Sequence, residues 1–125
     1  MKITSFNPII ATAHCEDLVK LFEELGFEKR HHVKAIDNTD MEAVDMKDAN
    51  GFRVDIGDEK ALPQDMTLIR MNVDNFEEAY NILIEHGFKN NRGDGTIDSK
   101  SSKSATMISP SGFTISIVQH IKDHD

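Results

Sequence analysis

The chain contains a single cysteine, Cys15, so it has no internal disulfide and no second thiolate for a metal cluster. Tryptophan is absent and there are only three prolines among 125 residues, too few for a proline-rich linker or an extended disordered segment. No apolar run approaches the roughly 20 residues that a bilayer-spanning helix needs. The opening segment MKITSFNPIIATAH is interrupted by polar residues too early to read as a signal peptide. Positive charge is also scarce, with 14 Lys and Arg against 22 Asp and Glu, a formal net charge of -8. Without a local basic cluster, such a chain repels phosphate backbones and anionic lipid surfaces. These absences give the expectation of a cytoplasmic protein with no nucleic-acid and no membrane partner. Cys15 reads as a small residue near a helix start; activation of its thiol there is the sharper alternative.

What is present is a globular composition, 38% hydrophobic and 29% charged, in a length that suits one domain. The chain also repeats itself. Shifting the numbering by 61 maps Glu16 onto Glu77, Gly26-Phe27 onto Gly87-Phe88 and Met46 onto Met107. The same shift carries Gly51-Phe52 onto Gly112-Phe113 and Ile56 onto Ile117. A constant, gapless offset at separated places indicates a tandem duplication within one domain, residues 1–125. Module one is expected over about 1–60 and module two over about 63–121, joined near DEKALPQD, where Pro63 and the charges break the pattern.

Each half predicts the same order of elements. In CEDLVKLFEELGFE, Leu18, Leu21, Phe22 and Leu25 recur at helical spacing, and Gly26 and Phe27 follow as a Schellman-type stop. In the second half Asp74 and Glu77 form a capping-box pattern, Phe76, Ala79, Tyr80 and Leu83 form the apolar stripe, and Gly87-Phe88 ends the helix. Strand-like runs NPIIATA and TLIRMNV precede the helices, and GFRVDI and GFTISIVQ end the halves after the turns DANG and SPSG. NNRGDGTIDSKSSKS reads as a loop plus a weak strand, and its Arg-Gly-Asp triplet is too short to indicate adhesion.

Two tandem βαβββ halves, with FEELGFE closing the first helix and NGFRVDI and SPSGFTISIVQ as the last strands, resemble the vicinal oxygen chelate superfamily of glyoxalase I, bleomycin-resistance proteins and extradiol dioxygenases. The resemblance covers about Ile3 to Gln119 and implies an α+β fold of two curved half-barrel sheets with helices on the outside. It also implies, for metal-using members, one His or Gln from each first strand and one Glu from each last strand. Those places fall on Asn7, Leu68, Asp55 and Ser116. Leu68 offers no donor, Ser116 a neutral hydroxyl, Asn7 a weak amide oxygen, and Asp55 alone is an ordinary ligand, shorter than Glu. A divalent metal is therefore the minority expectation, with Asp55 its one candidate. A site rebuilt from histidines belongs to the same minority expectation: His31 and His32 alternate across a strand, His120 and His124 lie in a polar tail, and His14 suits a helix cap or the surface.

Strand alternation sends Ile10, Ile69, Met71 and Val73 toward the helices. The opposite face receives Asn7, Ile9, Ala11, Arg53, Asp55, Leu68, Arg70, Asn72, Thr114 and Ser116. Polar groups there need water, each other or a ligand. One reading pairs Arg53 or Arg70 with Asp55; another uses either arginine to hold a carboxylate, oriented by Asn7, Asn72 and Thr114. Phe52 and Phe113 suit edge packing. Asp55 beside a guanidinium is a poor base near neutrality, so the balance is against catalysis. The expectation is a metal-free small-molecule-binding protein without a cofactor, acting as a homodimer as the resemblance implies. The alternatives are a metal-dependent lyase, isomerase or dioxygenase, and a regulatory or interaction module with a filled cavity.

Overall fold

The computed structural model of the protein describes residues 1–33, 42–93, 95, 97–98 and 102–120, with backbone alone at 31–33, 42, 97 and 98. His124 and the Asp94 of the Arg-Gly-Asp triplet lie outside them. Two compact units emerge, residues 7–68 and residues 1–6 with 69–125.

The first module runs β1 (Ile3–Thr12), α1 (Cys15–Glu24), β2 (Glu28–Val33), β3 (Glu42–Lys47) and β4 (Arg53–Asp58). Its strands lie in the order β2-β3-β4-β1, with β4 antiparallel to β3 and parallel to β1. The second module runs β5 (Met66–Val73), α2 (Phe76–Glu85), β6 (Lys89–Asn90), β7 (Ile97–Asp98), β8 (Ser102–Ile108) and β9 (Thr114–His120). Its order, β6-β8-β9-β5 with β7 also on β8, repeats that of the first. The fold is α+β with two βαβββ modules, as expected. The second module splits the counterpart of β2 in two: Asn90 turns the chain by accepting from the Arg92 N–H and donating to the Gly95 carbonyl at 2.7 Å. The tract read as a loop plus a weak strand holds the short β7 and the start of β8 at Ser102.

Burial explains the alternation. Under α1, Val44, Met46, Val54 and Ile56 pack with Val19, and Ile10, Leu18, Phe22 and Phe27 close around them. Under α2, Met71, Val73, Ala105, Met107, Ile115 and Ile117 pack with Phe76, Ala79 and Leu83. Met46, Ile56, Met107 and Ile117 are wholly buried, and the 61-residue shift exchanges them in pairs. Removing one such side chain to Ala leaves a cavity costing about 2–5 kcal/mol. The α1 stripe differs from the expected one: Val19 is buried, whereas Leu21 and Leu25 are 47% and 63% exposed.

The duplication extends to individual hydrogen bonds. Both helices end in a Schellman reversal, with the Phe27 N–H donating to the Phe22 carbonyl at 2.9 Å and Phe88 to Leu83 at 3.0 Å. Phe22 and Phe27 meet edge to face at 5.3 Å, the apolar contact that seals such a stop. Both hairpin turns match as well. Phe52 N–H donates to Asp48 Oδ1 at 2.8 Å, and Phe113 N–H donates to Ser109 Oγ at 2.9 Å. Phe113 packs against Phe88 at 6.2 Å, whereas Phe52 is 67% exposed.

The helix starts depart from expectation. Asn75, not Asp74, caps α2, its side chain accepting from the Glu78 N–H at 3.1 Å. Asp74 instead accepts from the Lys2 N–H at 2.6 Å, a tertiary contact that sequence spacing does not encode. His14 occupies the α1 cap position without a side-chain cap; its own N–H donates to Thr12 Oγ1.

The two Schellman glycines give a test. Gly26 and Gly87 have φ of 105° and 88°, so Ala at either is expected to cost roughly 1 kcal/mol in backbone strain. A Cβ at Gly87 would also come within 3.2 Å of Pro110 Cγ, whereas at Gly26 nothing lies within 4 Å. Urea denaturation should therefore rank Gly87→Ala as the more destabilising, and the reverse ranking would contradict the packing.

Candidate functional site

The residues singled out from sequence lie on the sheet faces turned away from the helices. In the first module, Ile56 and Val54 belong to the core, so Arg53 and Asp55 project to the other side. Asp55 is 6% exposed and Asn7 also 6%, although both are polar. They meet: Asn7 Nδ2 donates to Asp55 Oδ2 at 3.2 Å, and to the Pro8 carbonyl at 3.1 Å. The Asn7 amide thus turns its donor end, rather than its oxygen, toward the carboxylate.

Arg53 does not follow the expected pairing. Its guanidinium donates to Asp45 Oδ2 at 2.6 Å rather than serving Asp55. The hairpin register explains this, because β3 and β4 set Asp45 opposite Asp55 and Lys47 opposite Arg53. Like charges directly across a ladder repel, and the diagonal neighbour of opposite sign relieves them. Asp45 Oδ1 is nevertheless buried with no hydrogen-bond partner. Asp45 is not among the residues that the sequence singles out, yet counting outward from the DANG turn pairs 45 with 55.

Beyond Asp45, β2 sets His31 opposite Asp45 and His32 opposite Val44.

The second module arranges a different set. Met71 and Val73 lie in the core, which puts Leu68, Arg70 and Asn72 on the opposite side; all three are half-buried. Arg70 Nε donates to Asn72 Oδ1 at 3.2 Å, and Asn72 Nδ2 lies 3.4 Å from His120 Nε2. His120 is therefore no tail residue: it ends β9, exposed but in contact with this row. Register places Ser116 beside Arg70 on β9 and Thr106 beside Ser116 on β8. Thr114 Oγ1 donates to the Gly112 carbonyl at 3.1 Å and so serves its own turn rather than orienting a partner. Thr106 and His120 escape sequence reasoning because the first lies on a strand whose pairing no local pattern reveals, and the second follows the apolar alternation that marks its strand.

The donor set does not fit a divalent metal of the kind the resemblance implies. Asn7 presents N–H to Asp55, Leu68 has no donor, and Ser116 supplies a neutral hydroxyl. Among the described residues no cluster of three or more His, Cys, Asp or Glu is positioned to hold a metal ion. No helix among them is long and apolar enough to cross a membrane.

Asn7→Ala removes the amide donor of a buried carboxylate and is expected to cost about 1–3 kcal/mol by urea denaturation. Arg53→Ala breaks a half-exposed pair and should cost under about 1 kcal/mol. The opposite order would show that Asp45, not Asp55, is the carboxylate that matters to stability.

No protein-family model and no curated protein matches the sequence. Solved structures do match it in shape. A methylmalonyl-CoA epimerase superposes with a TM-score of 0.68 at 15% identity, over 93% of this chain and 94% of that one. A glyoxalase/bleomycin resistance protein/dioxygenase superfamily member from Vibrio splendidus gives 0.60 at 14% identity, over 96% of this chain and all of that one. Glyoxalase I from Zea mays gives 0.69 at 13% identity over 94% of this chain, which spans less than half of that enzyme. Identities this low speak to architecture alone. The protein therefore has the vicinal oxygen chelate fold, shared with glyoxalase I and methylmalonyl-CoA epimerase.

Proposed function

We propose that the protein binds a small organic molecule on the polar sheet faces and does so without a metal or other cofactor. The observation that carries this reading is the contact between Asn7 and Asp55. A cation shared by these residues would need both oxygens turned inward, whereas the amide turns N–H toward the carboxylate. Polar groups on a sheet face need water or a partner, and an organic ligand with acceptors and donors supplies one. In this reading each face offers its own anchor: Arg53 with Asn7 and Asp55 on the first, and Arg70 with Asn72, Ser116 and the apolar Leu68 on the second. Catalysis is not part of this reading: the Asp55 carboxylate is already engaged by the Asn7 amide rather than open to a substrate proton. A cytoplasmic homodimer completes the proposal, and sedimentation equilibrium reading the mass of two 14.1 kDa chains is the expected result.

Thermal denaturation against a set of small carboxylates and neutral organic compounds tests the binding claim. A ligand that binds only the native state at about a hundred times its dissociation constant stabilises by about 2.7 kcal/mol, a shift of several degrees for a chain of this size. Arg53→Ala or Arg70→Ala should reduce that shift. A shift unchanged in both variants would remove the arginines as anchors, and no shift with any compound would favour a filled, non-binding face.

A further inference from the structure

The two modules differ in the charge they carry on the face opposite their helix. On the first, two carboxylates, Asp45 and Asp55, stand across the ladder from one another. On the second, every described position of that parity in β5, β8 and β9 is apolar, neutral polar, imidazole or guanidinium. Those positions include Arg70, Asn72, Ser104, Thr106, Ser116 and His120, and none is acidic. In a chain of net charge -8, this face thus carries a guanidinium whose neighbours on β5, β8 and β9 include no carboxylate.

The hydrogen bonds orient the row. Arg70 Nε donates to Asn72 Oδ1, so the Asn72 carboxamide has its oxygen toward Arg70 and its Nδ2 toward His120 Nε2. This orients the guanidinium through its Nε and leaves the Asn72 amide nitrogen 3.4 Å from His120 Nε2. Next to Arg70, register sets the hydroxyl of Ser116, and next to Ser116 that of Thr106. Both hydroxyls rotate to donate. Arg70 and His120 also engage other groups of the protein, so a ligand here adds to a preordered network.

We propose that this row is an oxyanion subsite, in which Arg70 anchors a carboxylate or phosphate group of the ligand, the hydroxyls of Ser116 and Thr106 donate to it, and Asn72 positions the arginine. The proposal rests on the small-molecule-binding reading and adds the charge and chemical class of the group that enters the second module. Guanidinium supplies charge-assisted donors to either oxyanion, and a hydroxyl pair accommodates the planar or the tetrahedral form.

Nuclear magnetic resonance titration of the full chain with inorganic phosphate and, separately, malonate reads the subsite directly. Saturable shifts of the Arg70 Nε–H and Asn72 side-chain resonances are expected for at least one anion, and the tighter of the two identifies the source. Arg70→Ala should weaken that binding by at least about tenfold. Asn72→Asp keeps the acceptor for Arg70 and nearly the same shape while placing a negative charge on the face. It should abolish binding in a protein that remains folded, which guards against a merely unfolded Arg70→Ala. Lys60→Ala, which removes an exposed cation paired with Asp58 in the other module, should leave the anion titration unchanged. Saturable binding that survives Asn72→Asp, or that moves Arg53 instead, would overturn the proposal. Failure of both anions to bind would do so as well; a neutral compound that still raises the melting temperature would then leave the broader binding reading standing.

Discussion

Strand parity in the last strand of each module governs everything else here. Ile56 and Ile117 are wholly buried beneath their helices, and slipping either strand by one residue would expose them. Holding them inside forces Asp55 and Ser116 onto the other face. The cost of a polar group at a half-covered position is thereby imposed by the core, and local chemistry must answer it. In the first module the answer is an amide facing a carboxylate and an arginine reaching diagonally to Asp45. In the second it is the run from Arg70 through Asn72 to His120.

The duplication makes the divergence legible. Backbone devices that need a particular geometry have been kept in both halves: the Schellman reversals, the positive-φ glycines and the side-chain-braced hairpin turns. These are places where few side chains satisfy the backbone, so the same short phrases recur. Faces turned from the helices obey no such rule, since any residue that finds water or a partner is tolerated there. Arg53 against Thr114 and Asp55 against Ser116 are differences of that second kind. One ancestral frame thus carries two chemically distinct surfaces, one with opposed carboxylates and one to which the described positions of β5, β8 and β9 bring none.

Much of this is legible in the amino-acid sequence alone. The 61-residue offset locates both helices, both glycine stops and the buried pairs, and parity sorts Asn7, Asp55, Arg70 and Asn72 correctly from the core. What escapes is whatever depends on pairing between strands. Sequence proximity pairs Arg53 with Asp55, two residues along its own strand, because Asp45 becomes its neighbour only through the hairpin. Asp74 has the spacing of a helix cap, but Lys2 claims its carboxylate and leaves the role to Asn75. Leu21 and Leu25 fit a helical period as well as Val19 does, and only the sheet decides which side of α1 is covered.

The metal-free proposal turns on the Asn7 amide facing Asp55 with its N–H, a hydrogen-bonded pair rather than two oxygens turned to a shared cation. Metal content of untagged protein, purified without chelator and dialysed against low concentrations of zinc, nickel, manganese and iron, tests this most directly. The account predicts a metal-to-protein ratio far below one for each of them. One tightly retained ion per chain, lost on Asp55→Asn, would contradict it.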